Sequence, residues 1–386
     1  MPQPIAPAMP TAMNVGADTL SIPLISVVLP VYNGAPHVGA ALESILRQDY
    51  GHFEIIALDD GSTDGSLEIL QRYRNADDRI RIVSRENRGL IATLNEGIAM
   101  AKGDLIARMD ADDISYPSRF SRQVALFATQ PQLAISGTGI DQLLGSRVVQ
   151  GRPNPIYQTG DWHVLSMFFT IFLHSTVMYN RNVIPEDMLV YDAGYVHAED
   201  FDLFGRIARQ FPAAMIDESL VAYRIHSDSV SSRHKRQMRQ THLKIVAENL
   251  QRQSLCDDPG ALCAIGVAVT PETVRRAADC ILAIERKIAE QAGRASSSYE
   301  HGTLCFFYFL YQLIIDEQEP ALTHAFLTLT GKWQLIRRRE RYGLRSAAYA
   351  PWLCRFSAGA TRHMDLMARY YQSVPARSVG PLQGLA

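Results

Sequence analysis

The feature that most constrains this chain is a rhythm. Between Ile25 and Met109, four short apolar runs alternate with stretches of helical periodicity. Ile25–Val31 (ISVVLPV) is a continuous apolar run of buried-strand length. Ala35–Gln48 reads as a helix with Val38, Leu42, Ile45 and Leu46 on one face. Phe53–Leu58 is a second strand that runs into Asp59-Asp60-Gly61, and Asp64–Arg74 a helix capped by Asp64 or Thr63. Arg79–Ser84, Leu90–Ala101 and Asp104–Met109 continue as strand, helix and strand. Such alternation predicts an α/β fold, with a mostly parallel sheet covered by helices on both faces. Ligands of open α/β sheets sit beyond the carboxyl ends of the strands. Acids collect at just those ends: Asp59 and Asp60 after one strand, Asp110, Asp112 and Asp113 after another.

Further along, Arg119–Thr129 reads as a helix, Leu133–Ser136 as a strand, residues 145–160 as loop, His174–Asn180 as a strand, Ala198–Arg209 as a helix and Leu220–Ile225 as a strand. After Ser231 strand signals fade. Helical patterns follow at Gln237–Gln253, Pro271–Ala292, Gly302–Asp316 and Ala321–Gly331. The expected organisation is a disordered tail over residues 1–22, an α/β domain over 23–230 and a mainly helical region over 231–386. The charges divide in the same place, with 21 Lys and Arg against 13 Asp and Glu from Ser231 onward, and 17 against 27 before it. An acidic front suits a metal site, and a basic back suits an anionic partner or membrane surface; two unlike solvated faces would look the same. The basic stretch Arg337-Arg338-Arg339-Glu340-Arg341, beside Trp333, Tyr342 and Trp352, is either an interfacial surface or a solvated helix face. The net charge of −2 makes no electrostatic case for nucleic acid.

The five cysteines, scattered through the back third without a CxxC pair, indicate neither a zinc site nor a disulfide framework and fit a reducing compartment. Residues 1–22 lack a basic start followed by an apolar run, so no signal peptide is expected there. Leu304–Ile315 is too short to span a bilayer, which takes about 20 apolar residues, and reads as a buried helix. The chain is therefore expected in the cytoplasm, with peripheral contact to the inner face of the membrane as an option. P-loop phosphotransfer, a dinucleotide fingerprint, HExxH zinc hydrolysis and a GxSxG nucleophile are all missing from the sequence.

Three local motifs carry chemistry. Asp110-Ala111-Asp112-Asp113 places carboxylates where a hard divalent cation takes oxygen ligands, and such a cation offsets charge on a diphosphate. Alone, Asp-x-Asp is common and serves equally as a turn with capping acids. Val31-Tyr32-Asn33-Gly34 can lay an aromatic ring and backbone groups against a base. A carboxylate of Asp59-Asp60 can accept from the N3–H of uracil or from a ribose hydroxyl, while Gly61 allows a tight turn; a plain turn with an Asp cap reads the same.

Together, the run ISVVLPVYNG…FEIIALDDGSTDGSLEIL…ENRGLIATLNEGIAMAKGDLIARMDADDIS resembles glycosyltransferase family 2. The likeness covers about Leu24–Ser232 and is strongest up to Gln123. It implies the GT-A fold, a nucleoside-diphosphate sugar donor, a divalent cation (Mn²⁺ or Mg²⁺) and inversion at the anomeric carbon. By the same resemblance, Pro30 and Tyr32 line the nucleobase beside Asn33, and Asp59, with Asp60, binds it. Asp112 lies nearest the metal and diphosphate, flanked by Asp110 and Asp113. Arg88, Gly89 and Asn95 fall in the stretch bordering the nucleotide. In His197-Ala198-Glu199-Asp200, Asp200 corresponds to the general base, with Glu199 as orienting neighbour or alternative; without the resemblance, two acids at a helix start would read as dipole partners. His174 falls near the donor sugar or acceptor. Tyr223-Arg224-Ile225-His226 looks like a closing segment over the donor, where Arg224 pairs with phosphate and His226 binds metal or phosphate; a structural role for either histidine stays open. The implied activity is sugar transfer, hexosyl or N-acetylhexosaminyl, from a donor of UDP type to a hydroxyl of a glycan or lipid-linked acceptor in envelope or extracellular polysaccharide synthesis.

Two rivals stand beside this reading. A nucleotidyltransferase would want a Gly-rich, Arg- or Lys-bearing loop after the first strand, where this chain has Tyr-Asn-Gly-Ala-Pro. A non-catalytic sugar-nucleotide-binding protein on the same frame would have lost the metal or base motif, and both are present.

Overall fold

A computed structural model of the chain describes residues 22–151, 161–226, 234–290 and 297–336, with positions 338, 341 and 344 beyond them. The tail before residue 22, Ser227–Ser231 of the closing segment, and Arg337, Arg339, Tyr342 and Trp352 of the basic stretch lie outside the described residues.

Four parallel strands form the base of the fold: β1 Ile25–Val31, β2 Phe53–Asp59, β3 Ile80–Ser84 and β4 Leu105–Arg108. Every residue of β1 is buried, which is why it reads as an unbroken apolar run and not as an alternation. Helices α1 Val38–Leu46, α2 Ser66–Ala76 and α3 Leu90–Met100 connect them. Val38, Ala41, Leu42 and Ile45 of α1 are buried, at the spacing of one helical stripe. Beyond β4 come β5 Ile114–Ser115, α4 Arg119–Thr129, β6 Ile135–Leu144, β7 Arg147–Val149, the short helix α5 Trp162–Leu165, β8 Met178–Asn180, α6 Glu199–Ala208 and β9 Ala213–Arg224. The sheet order is β3-β2-β1-β4-β8-β6-β9-β5, with β7 beside β6. β1 therefore sits between β2 and β4, and its end opens at the point where the strand order reverses.

The front of the sequence reads well and its middle less so. β6 runs to Leu144, well past the expected Ser136. Gly137-Thr138-Gly139 looks like a strand breaker, yet the strand continues through it with a shift of register against β9. Gly137 lies against the Phe172 ring, where a Cβ would come within 2.3 Å of a ring carbon. β9 starts at Ala213 and not at Leu220, and β7 occupies part of what reads as loop. The expected strand His174–Asn180 is divided into a 3-10 turn, His174–Thr176, and β8. Neither Asp64 nor Thr63 caps α2, whose preceding residue is Gly65. Asp64 accepts instead from the backbone N–H groups of Ala35 at 3.0 Å and Ser66 at 2.9 Å, tying together the turns after β1 and β2.

The helical region comprises α7 Lys235–Arg252, α8 Gly260–Val267, α9 Pro271–Glu290, α10 Ser297–Asp316 and α11 Pro320–Thr330. α8, too short to announce itself, is absent from the sequence reading. Leu304–Ile315 lies within α10, and Phe306, Phe307, Leu310, Tyr311 and Ile314 are buried. No helix among the described residues is long and apolar enough to cross a membrane. The buried Cys256 and Cys280 are free thiols with sulfurs 2.9 Å apart, a proximity their scatter in sequence hides.

The change of texture at Ser231 is not a break in packing. Val164, Met167, Phe168, Ala198 and Phe201 share one apolar core with α7–α11. The Asn249 amide of α7 reaches the carbonyls of Ser166 and Met167 at 3.5 and 3.4 Å, and Tyr195 donates to Glu248 at 2.7 Å. Phe168, fully buried, meets Phe306 with ring centroids 6.3 Å apart. Phe168→Ala is expected to destabilise the whole molecule by about 3–5 kcal/mol. In urea denaturation this should appear as a lower midpoint of one cooperative transition, and two separate transitions in the wild type would contradict the shared core.

Candidate active site

The site is built at the carboxyl ends of β1, β2 and β4. Val28 accepts from the Met109 N–H at 3.2 Å, so the even-numbered residues of β1 face β4. β4 ends opposite Val28, which leaves Pro30 beyond that ladder, where its missing N–H is not needed. Pro30 is buried in the strand, whereas Tyr32 stands 56% exposed at its tip. Asn33 takes a left-handed backbone, φ +50°, tolerable for Asn. Its side-chain oxygen accepts from the Thr63 N–H at 2.8 Å, and its own N–H donates to the Ser62 hydroxyl at 3.0 Å. Asn33 thus joins two turns and is not turned over to a ligand.

Asp59, buried at the end of β2, accepts from the Ser62 N–H at 3.2 Å and from the Ser84 hydroxyl at 2.8 Å. A carboxylate has further lone pairs, so capacity for a ligand remains. Asp60 has little left to offer. It accepts from the backbone N–H groups of Arg88 at 2.8 Å and Gly89 at 2.9 Å and is paired with Arg85. These contacts hold the 85–89 loop against the end of β2. Gly61, φ +74°, faces this loop, and an added Cβ would lie 2.7 Å from the Asn87 nitrogen. Arg88 has an exposed side chain. Asn95 faces Tyr191: its amide nitrogen donates to the Tyr191 carbonyl at 2.9 Å, and its oxygen accepts from the Tyr191 N–H at 2.8 Å.

The carboxylates after β4 come together. Asp110, Asp112 and Asp113 each offer an oxygen, all within 4.8 Å of one another. Asp113 is completely buried and accepts from the Arg224 N–H at 2.8 Å. Burial, then repulsion from Asp110 and Asp112, pushes its carboxyl up to about 8. Ser175 places its hydroxyl 2.6 Å from Asp110 and also against Asp113. One hydroxyl proton serves two carboxyls, so the pair is satisfied when Asp113 keeps a proton or a cation replaces it. An all-oxygen donor set of three close carboxylates fits a hard divalent cation. Arg224 donates through Nε to the Asp112 carbonyl at 2.7 Å, and His226 Nε2 lies 2.9 Å from the Asp112 carboxylate. The structure thus seats His226 beside Asp112, next to the three-carboxylate cluster. The two-residue strand β5, paired with β9 through Ile114–Ala222 and Ser115–Val221, brings Arg224 and His226 to these acids.

Glu199 and Asp200 open α6. Asp200 accepts from the Phe201 N–H at 2.7 Å. Burial raises both carboxyls, Glu199 to about 7 with Asp200 repelling it, and Asp200 to about 6 with Arg108 opposing the rise and Asp110 adding to it. His174 is bonded through Nε2 to the Tyr191 hydroxyl at 2.7 Å, which meets the Tyr179 hydroxyl at 2.9 Å. Burial and the Arg108 charge hold His174 well below its ordinary range, so it is a neutral imidazole in a tyrosine network.

Sequence reasoning missed Arg108, Ser175 and Arg119. Arg108 pairs with Asp110 and donates to the Ser175 hydroxyl at 3.1 Å. Arg119, fully buried beneath the acids, donates to the carbonyls of Arg108 at 2.9 Å and Val177 at 3.2 Å. For Arg108 a basic residue closing the otherwise apolar run LIAR is the available signal, since an arginine there has to find buried partners. Asp112→Ala is expected to abolish Mn²⁺ binding measured by calorimetry, and Ser175→Ala, which removes only an orienting contact, to weaken it about 10–100-fold. Unchanged affinity in Asp112→Ala would place the cation elsewhere.

Residues 26–186 match the family model described as glycosyl transferase family 2. An uncharacterized glycosyltransferase of Haemophilus influenzae is 31% identical over 238 residues, covering 59% of this chain and 73% of that one. The O-antigen biosynthesis glycosyltransferase WbnJ of Escherichia coli is 32% identical over 53% of this chain and 81% of its own length. Among solved structures, residues 1–349 of Staphylococcus aureus TarS in complex with UDP align with a TM-score of 0.48 at 16% identity, over 80% of this chain and 91% of that one. The sheet described above, parallel through β3-β2-β1-β4 with acids at its carboxyl edge, is the GT-A arrangement that the sequence resemblance implies. With relatives this similar over most of their own length and the motifs standing together at one edge of the sheet, this chain belongs to glycosyltransferase family 2.

Proposed function

We propose that this chain transfers a hexosyl or N-acetylhexosaminyl unit from a nucleoside-diphosphate sugar, of UDP type, to a hydroxyl of a polysaccharide or lipid-linked acceptor, with inversion. The observation that supports this reading is that three carboxylates, Asp110, Asp112 and Asp113, stand together at the carboxyl edge of the sheet, with Arg224 and His226 on Asp112. A base and a diphosphate site must face each other across one anomeric carbon for an in-line displacement. The name of the relative WbnJ, an O-antigen biosynthesis enzyme, supports an envelope glycan as product.

In this reading, Tyr32 presents its exposed ring to the nucleobase, and Asp59 uses its remaining lone pairs for the uracil N3–H or a ribose hydroxyl. Asp110, Asp112 and Asp113 hold Mn²⁺ or Mg²⁺, which neutralises charge on the diphosphate when bound. Arg224 and His226, already on Asp112, lie where they can add donors to the phosphates. Asp200 accepts the proton of the acceptor hydroxyl as its oxygen bonds to the anomeric carbon and the bond to the diphosphate breaks. Glu199 keeps the pair's second carboxyl beside it. One backside attack leaves no covalent sugar–enzyme species. The placement is expected to be cytoplasmic, and the basic region after Ser231 gives the acceptor's membrane a peripheral contact.

Three measurements test the reading. A melting-temperature screen of nucleoside diphosphates with and without Mn²⁺ should show UDP stabilising the protein only with the metal; no response to any nucleotide would remove the donor site. Asp200→Asn should retain nucleotide binding while turnover falls about 10²–10⁴-fold. The Glu199–Asp200 pair titrates between about 6 and 7, and the base works only when deprotonated. kcat/KM should therefore rise as pH rises through that window and level off above it.

A further inference from the structure

The connection between α7 and α8 carries a reactive group that sugar transfer leaves unused. Cys256 lies there, and Cys280 lies 24 positions further along on α9; both are buried, with sulfurs 2.9 Å apart. The chain is led to this meeting. Ser254 turns in a left-handed backbone, φ +54°, Leu255 returns its N–H to the Leu250 carbonyl at 2.9 Å, and the fully buried Leu255 side chain pins the bend. On α9, Arg276, Cys280 and Lys287 follow at spacings of four and seven, so they share a face. Arg276 holds Asp258 at 2.8 Å, and Lys287 is paired with Asp257. Two ion pairs therefore fasten the Cys256 connection to α9, one on each side of Cys280. Thiols that served only as small apolar filling would rest at ordinary contact distance. A disulfide needs its sulfurs at about 2.05 Å, so under about 1 Å of travel separates this pair from a bond.

We propose that Cys256 and Cys280 are a reversible redox-modification site, which a peroxide converts to an intramolecular disulfide fastening the α7–α8 connection to α9. Ser254, Asp257 and Asp258 are exposed on either side of Cys256, so the pair lies just beneath the surface, within reach of a molecule as small as hydrogen peroxide. The hydrogen bond from Cys280 pulls the Cys256 thiol below its ordinary range against burial, and the same bond, with burial, pushes Cys280 up. Cys256 is thus the attacking sulfur. Its thiolate takes a hydroxyl from the peroxide, the O–O bond breaks, and the hydroxide released takes up the Cys256 proton as water. The Cys280 sulfur then attacks the sulfenic sulfur of Cys256. The S–O bond breaks, and the departing hydroxide leaves as a second water with the Cys280 proton. Two thiols lose two electrons, and one peroxide becomes two waters. Small thiols such as glutathione reverse the bond by exchange. α7 also holds Tyr195 through Glu248, so the cross-link stiffens the end of a helix that braces the segment before α6.

The test uses the folded, fully reduced chain treated with hydrogen peroxide, then quenched, alkylated and digested for peptide mapping by mass spectrometry. A peptide joining Cys256 to Cys280 should appear, lighter by two hydrogens than its two reduced halves, and dithiothreitol should remove it. The oxidised protein should melt about 3–8 °C higher than the reduced one, because the bond closes a loop in the unfolded chain. Cys280→Ala should lose both the joined peptide and the rise in melting temperature. Should that variant fail to fold, the mapping and the two melting curves of the wild type decide. Both thiols found alkylated after peroxide treatment would overturn the proposal, as would either cysteine joined to Cys263, Cys305 or Cys354 instead. A Cys256–Cys280 bond that forms only in denaturant, or that lowers the melting temperature, would overturn it too, since the folded geometry would then not accommodate the bond.

Discussion

Three carboxylates stand within a few ångströms of one another at the end of β4, and the surrounding structure is arranged to tolerate that repulsion. Asp113 avoids ionising, because it is buried and its neighbours are negative. Asp110 is paired with Arg108, Asp112 lies 2.9 Å from His226 Nε2, and Ser175 threads one hydroxyl between Asp110 and Asp113. Clustered carboxylates of this kind become more favourable when a cation enters among them. The same logic explains the ring of backbone donors at Asp60, where a second buried acid is made harmless by filling its lone pairs.

Holding such a cluster demands a rigid frame, and much of the frame comes from far along the chain. The helices after residue 234 share a core with Phe168, Ala198 and Phe201, which flank the turn at His174–Thr176 and the start of α6. Tyr195, shortly before α6, is tied to Glu248, and the Lys244 ammonium lies 4.6 Å from its ring centre. Trp333, beside the basic stretch that reads as either an interfacial surface or a solvated helix face, packs partly buried against this core. The helical region therefore helps to fix where Glu199 and Asp200 stand.

The first half of the fold was legible because its strands are buried on both faces and its helices carry single apolar stripes; β1 and α4 begin and end where the pattern says. β6 and β9 were not, because their length depends on pairing with each other across a bulge at Gly139, and pairing leaves no trace in local periodicity. At the site, the acids were legible as acids, since strand ends are where carboxylates find solvent. How far each is engaged by the frame was not: Asp60 looks like Asp59 in sequence, and only hydrogen-bond partners separate them. An arginine at the end of the apolar run LIAR signals that it has to find buried partners, but which ones stays hidden until the fold is known.

β5 is only two residues long, yet it pairs the chain just after Asp113 with the end of β9. Through it, the Arg224 amide holds Asp113 and the Arg224 guanidinium holds the Asp112 carbonyl. Displacing Arg224 would break its hydrogen bonds to both aspartates at once, so the geometry of the acids after β4 and that of the end of β9 are tied to the same short piece of backbone.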